Sequence, residues 1–279
     1  MRRTVVLLAT MALAILLSGG VAQAIINGEP DRGSNAHRYV GAYVVKFEGE
    51  LFPVCSGTLI SPKLFLTAGH CTEPQKVKGV PKELPTYVTF DPTFEQGSSK
   101  VIKGTPYTHP KACFPLPPIN DPNCAPPPGL SGLPPDKPLY DVGVVVLDEP
   151  VRMATYGALP DAGLVDTLDK GQRFTTVGYG LRTFDPSGDE RYRARVKLLN
   201  ATPPAGAMFL RTTGFRGIGR GGEGNCSGDS GGPLLLPDQK TMVGVFSFSR
   251  KDNITGLCTQ PLYFQRVDLP QVLKWVRSF

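Results

Sequence analysis

Three short segments carry side chains that together could perform acyl transfer. Leu66-Thr67-Ala68-Gly69-His70-Cys71 ends an apolar run in a histidine, and Tyr140-Asp141-Val142-Gly143 opens a β-branched run with an aspartate. Gly228-Asp229-Ser230-Gly231-Gly232-Pro233 sets a serine among glycines. A serine hydroxyl attacks an acyl carbon effectively when a base takes its proton, and an imidazole of near-neutral pKa can do so. A buried carboxylate then fixes the imidazole tautomer and stabilises the imidazolium that forms. Glycines around the serine let main-chain N–H groups approach the developing oxyanion. Taken singly, each segment has an ordinary reading: a packing histidine, a turn aspartate, a tight glycine turn. Six specified residues around Ser230 argue against a mere turn, and His70 alone of the three histidines sits in such a context. The combination His70, Asp141, Ser230 points to nucleophilic catalysis.

Positioning these groups falls to strands. Short β-type runs recur between turn signals: YVGAYVVKF, CSGTLIS, LFLTAG, YVTF, VGVVVL, RFTTVGYG, RARVKLL, MVGVFSFS and YFQRV. Such spacing, in a chain with 32 glycines and 28 prolines, predicts an all-β barrel or sandwich. The end of the chain differs, because Leu269, Val272, Leu273 and Val276 recur at helical spacing behind Pro270, predicting a closing helix. Trp275, the one tryptophan, is expected to pack there. Pro106 to Pro138 holds twelve prolines and reads as a surface loop, not a central strand, stapled through Cys113 and Cys124. Gly217, Gly219 and Gly222 match a dinucleotide-type glycine pattern, but no helix-forming run follows, so a loop is the better reading.

Arg2 and Arg3, the uncharged run Val5 to Leu17 and the small residues Ala22-Gln23-Ala24 form a secretory signal over residues 1–24. The run falls short of the ~20 apolar residues that span a bilayer. Removing residues 1–24 from 279 leaves 255, enough for a sizeable core, and lowers the net charge from +6 to +4. That mild excess demands no nucleic-acid partner. In ERYRARVKLL, Arg191, Arg193, Arg195 and Lys197 alternate with apolar residues, which reads as a solvated strand face or, more sharply, a site for anionic polymers. Six cysteines in an exported chain suggest disulfides; sequence alone leaves the pairing open, though the positions fall into neighbouring couples.

The three motifs resemble those of the chymotrypsin/trypsin-like serine endopeptidases, and the resemblance covers nearly all of Ile25 to Phe279. It implies two antiparallel six-stranded β-barrels with the active site between them, and a C-terminal α-helix. Residues 25–150 would form the N-terminal barrel with His70, Asp141 and the Pro-rich insertion 106–138, and residues 151–279 the C-terminal barrel with Ser230. By the same resemblance His70 is general base and acid, Asp141 orients it, Ser230 is the nucleophile, and Gly228 and Ser230 donate oxyanion-hole N–H groups. Ser247 matches the serine beside the orienting aspartate. Cys55–Cys71 and Cys226–Cys258 match family bridges, whereas Cys113–Cys124 has no clear counterpart.

Ile25-Ile26-Asn27-Gly28 resembles the mature start of these enzymes, whose freed ammonium pairs with the aspartate before the nucleophile, here Asp229. With no propeptide visible between Ala24 and Ile25, signal cleavage itself is expected to activate the enzyme. The substrate pocket would involve Gly224, Asn225, Ser247, Ser249 and Pro261. Gly224 stands where trypsin-type members have an aspartate, so small or medium uncharged P1 residues are expected, unless Asp252 reaches inward. The implied molecule is a secreted monomer acting on protein or peptide substrates and open to protein protease inhibitors. It would need no cofactor or metal, and no nucleic-acid or membrane partner once mature. The alternative is a noncatalytic protease-like binding protein, but such relatives typically lose a triad member and all three are present here.

Overall fold

The computed structural model describes residues 25–34, 36–73, 83–113, 139–180, 190–199 and 208–279. Strands β2 (Val40–Phe47), β3 (Glu50–Ser61), β4 (Leu64–Thr67), β5 (Thr86–Thr89), β6 (Val101–Thr108) and β7 (Gly143–Leu147) close into a barrel in the order β2-β3-β4-β7-β6-β5. Every pairing within it is antiparallel. Val40, Leu59, Phe65, Leu66, Val88, Val144 and Val145 are buried in its core. Apolar side chains at this density drive closure, since a barrel removes the unpaired edges an open sheet would leave.

A second sheet runs β1-β9-β8-β11-β12-β13-β10, with β1 (Glu29–Pro30), β8 (Arg173–Gly178), β9 (Tyr192–Lys197), β10 (Phe209–Thr212), β11 (Pro233–Leu235), β12 (Met242–Lys251) and β13 (Cys258–Arg266). Its seven strands exceed the six expected because the two-residue β1 adds onto β9. The other six curl round until the end of β9 meets β10 at the bridge Leu198–Thr212, backed by the Leu199 N–H to Arg211 O bond of 2.9 Å. Phe174, Val196, Leu210, Leu234, Phe246 and Phe264 fill this second core.

Two α-helices, α1 (Gly69–Thr72) and α2 (Pro270–Val276), and a 3-10 helix, Leu164–Thr167, complete the described fold. As its spacing predicts, α2 starts on Pro270 and buries Val272, Leu273 and Val276, while Trp275 packs edge-on against His109 and Phe279. Among the described residues, no helix is long and apolar enough to cross a membrane.

Two expectations need correction. Pro106 lies inside β6, opposite Val145 of β7, so the strand continues into the Pro-rich stretch. The missing N–H is tolerated there because the pairing with β5 has already ended at Gly104–Thr86. Arg191 is not on a solvated face: it is 2% exposed and donates from Nε to the fully buried Asp31 at 2.8 Å. Arg193 and Arg195 both reach Glu29 of β1, so much of the basic stripe is neutralised internally. Residues 114–138, with Cys124 and the body of the insertion, lie outside the described residues.

Candidate active site

His70 and Asp141 meet because two elements end side by side. β4 stops at Thr67 and turns directly into α1, which lies against β7. Gly143 makes this approach possible, since a Cβ there would sit 2.3 Å from Thr72 Oγ1. Asp141, two residues before β7, is fully buried. Its Oδ1 accepts the His70 main-chain N–H at 2.8 Å, and its Oδ2 accepts His70 Nδ1–H at 2.9 Å and the Ser247 hydroxyl at 2.5 Å. An ionised carboxylate only accepts, so the proton is on Nδ1 and the Nε2 lone pair is free to act as a base. The His70 side chain stays 32% exposed.

Electrostatics follow from this arrangement. Burial works against the His70 cation, but the charge and hydrogen bond of Asp141 outweigh it and hold the imidazole pKa above its ordinary value. Burial likewise works against the Asp141 anion, yet the charge and hydrogen bond of His70, joined by the Ser247 hydroxyl, keep its pKa below the usual carboxylate value.

Ser230 stands on a turn pressed against the same corner. Its carbonyl accepts the Ser56 N–H at 2.8 Å and lies 3.8 Å from Cys71 Sγ. Gly231, at φ +83°, leaves no room for a side chain: a Cβ would sit 2.1 Å from Thr67 Oγ1 and 2.7 Å from Ala68 N. Glycine at this position therefore lets the serine turn nest against the end of β4. Ser230 Oγ and His70 Nε2 are not hydrogen-bonded to each other; such contacts often tighten only when substrate binds. Among the described residues, the N–H groups of Gly228 and Ser230 have no acceptor, leaving two donors beside the serine.

Disulfides Cys55–Cys71 (S–S 2.04 Å) and Cys226–Cys258 (2.13 Å) are present, while Cys124 of the third expected pair lies outside the described residues. Gly224 is buried and exchanges two main-chain bonds of 3.0 Å with Ile26. The side-chain amide of Asn225 is buried and has no hydrogen-bond partner among the described residues. Ser249 is half-buried on β12 opposite Leu262, and Pro261 follows a cis bond in β13. Asp252 Oδ1 accepts the N–H groups of Ile254 (3.0 Å) and Thr255 (2.8 Å) in its own turn. Ile25 is fully buried, packed with Tyr192 and Ala194.

Asp229 is buried too, accepting N–H groups from Gly180 and Cys226 at 2.8 Å each. Burial outweighs these bonds and lifts its pKa from 3.8 to about 7. A cavity of about 1340 Å³ lined by Asp31, Arg38, Arg152 and Lys240, among others, holds Arg191, Arg193 and Arg195 of the basic stripe but none of the residues predicted for the acyl-transfer site or its pocket.

Sequence reasoning missed two residues here. Gln265 is fully buried and its Oε1 accepts the Asp141 N–H at 3.1 Å; a glutamine amid the apolar residues of β13 was the available signal. Ser56, also fully buried, touches the serine turn through main chain and side chain, and nothing in its local sequence marks it.

A family model described as Trypsin matches residues 26–276. The chain belongs to the trypsin family. It is 26% identical over 217 residues to the venom serine protease Bi-VSP of Bombus ignitus, covering 72% of this chain and 54% of that protein. Serine proteinase stubble of Drosophila melanogaster is 24% identical over 246 residues, 80% of this chain and 27% of its own length. The chain thus spans about half of the one and a quarter of the other. Trypsin eta of Drosophila erecta matches at 21% over 275 residues, 93% of this chain and 96% of that protein. Among solved structures, HL collagenase aligns with TM-score 0.61 at 20% identity, covering 91% of this chain and 97% of that one. A mutant of human heparin binding protein (CAP37) aligns at 0.58 and 19%, covering 91% and 96%. These two share the fold. Membership of the trypsin family supports a serine protease activity, and trypsin-like proteases act on proteins or peptides.

Proposed function

We propose that this trypsin-family chain is a secreted serine endopeptidase with Ser230 as nucleophile, His70 as base and acid, and Asp141 as the group that orients the imidazole. One observation carries the reading: a fully buried carboxylate accepts both the main-chain and the ring N–H of His70, leaving the Nε2 lone pair free, while the next residue, Cys71, has its Sγ 3.8 Å from the Ser230 carbonyl oxygen. Nε2 takes the hydroxyl proton as Ser230 Oγ bonds to the peptide carbonyl carbon. The oxyanion is received by the N–H groups of Gly228 and Ser230. His70 then gives its proton to the leaving amine as the C–N bond breaks, and water hydrolyses the acyl-enzyme by the same path reversed. His70 and Asp141 belong to the N-terminal barrel and Ser230 to the C-terminal one.

Cleavage after Ala24 would free the Ile25 ammonium to pair with Asp229, a buried carboxylate that faces no cation among the described residues. A pocket based on Gly224 and Asn225, with Asp252 engaged in its own turn, favours uncharged P1 side chains. The test is labelling by a fluorophosphonate probe, expected on the processed chain and absent in Ser230→Ala. No labelling would leave the noncatalytic alternative standing. A peptide-library profile dominated by Lys or Arg at P1 would overturn the pocket assignment alone.

A further inference from the structure

The orientation of the Gly228 N–H is a property of a turn. The Asp229 N–H donates to Cys226 O at 3.1 Å, closing a four-residue turn, and Gly228 at its third position has φ +87°. A positive φ there is the mark of a type II turn. Type I differs by rotation of the middle peptide, the one that carries the Gly228 N–H, while both ends stay nearly in place. Whether that donor faces the reacting carbonyl therefore depends on how firmly the two ends are held.

The first end is fixed by the Cys226–Cys258 disulfide and by the Cys226 N–H bond to Asp229 Oδ2. At the second end, the Gly228 carbonyl accepts the Ser56 hydroxyl at 3.0 Å. The same hydroxyl accepts the Tyr179 N–H at 2.9 Å. Its geometry is in turn fixed by the Ser56 backbone, whose N–H donates to Ser230 O at 2.8 Å and whose carbonyl accepts Thr67 Oγ1 at 2.6 Å. Ser56 belongs to β3 of the first barrel, Tyr179 directly follows β8 of the second sheet, and Gly228 sits on the serine turn. One buried oxygen thus joins three segments that meet nowhere in the sequence.

We propose that Ser56 is a positioning residue for catalysis: its hydroxyl anchors the Gly228–Asp229 peptide and so keeps the Gly228 N–H directed at the oxyanion. The inference rests on Ser230 being the nucleophile. Removing the hydroxyl leaves the Gly228 carbonyl and the Tyr179 N–H without their partner, and the turn shifts to seek others. Losing an oxyanion donor outright lowers kcat roughly 10²–10³-fold, so loosening one should lower it by about 10–100-fold.

The experiment compares Ser56→Ala with the unvaried, processed enzyme. Three quantities are read: kcat and KM on a peptide amide, the inhibition constant of a peptide trifluoromethyl ketone, which forms an oxyanion on Ser230, and the thermal unfolding midpoint. The expected result is a fall in kcat with KM within about twofold, and a matching fall in ketone affinity. Unchanged kcat and ketone affinity would overturn the role, as would a loss confined to KM. If Ser56→Ala does not fold, Ser56→Gly, which also lacks the hydroxyl, is read the same way. Fluorophosphonate labelling of the unvaried enzyme separates the two failures. Labelling with no kcat effect sinks the positioning role alone, whereas absence of Ser230-dependent labelling sinks it together with the proposed function.

Discussion

At Asp141 three donors converge on one carboxylate, and two of them come from His70. Replacing Asp141 by Asn keeps the shape but sets an amide N–H against one of those donors, which costs the Nδ1–H tautomer. Asp141→Asn should therefore lower kcat by roughly 10⁴-fold, the loss known for this substitution in the Ser-His-Asp template. The pH profile makes a second check. Asp141 holds the His70 pKa above its ordinary value, so the acid limb of kcat/KM, which reports the neutral base in the free enzyme, should move to lower pH in the variant. A limb that stays put would mean that Asp141 is not the group setting it. The three reactive types were legible because each sits in a motif. Gln265 and Ser56 were not, since each acts through hydrogen bonds to residues far away in sequence.

Between elements, the ion pairs differ sharply in what they hold together. Asp31, just after β1, is fully buried and accepts Arg191 Nε, His37 Nδ1 and the His37 main-chain N–H, each at 2.8 Å. This ties the N-terminal segment to β9. Asp31→Ala would leave a buried guanidinium unmatched and should cost about 3–5 kcal/mol. Glu29, which pairs with Arg193 and Arg195, has a side chain 47% exposed, and Glu29→Ala should cost no more than ~1 kcal/mol. Urea unfolding of both variants with disulfides intact checks the contrast; equal losses would refute it. The alternation of ERYRARVKLL correctly marked a strand, but period alone does not say that a charged residue at its start turns inward. β6, β10 and β11 escaped notice for a related reason: they are short or carry proline, and barrel neighbours rather than local pattern hold them in place.

For the whole molecule, the state of the N-terminus should be visible in stability. Asp229 is buried, faces no cation among the described residues, and has its pKa raised from 3.8 to about 7. Across that window the folded chain retains a proton that the unfolded chain has released, so stability falls as pH rises from about 4 to 7. This holds while residues 1–24 remain attached and the Ile25 nitrogen is an amide. Asp229→Asn in the attached form should flatten the dependence, and freeing Ile25 should flatten it too by supplying a cation. Urea midpoints at pH 5 and pH 8 for the three forms decide the matter. Equal pH dependence in all three would remove Asp229 from the account.

Residue types and their immediate neighbours determined the candidate reactive groups, the strand-rich fold and the closing helix, because each is a local or short-period property; the pairing of the cysteines came from family resemblance. The chain could not state by itself which buried groups complete the site. Ser56, Gln265 and Asp31 acquire their roles only when segments 124 to 172 positions apart are brought together, where burial makes each unpaired donor or charge costly.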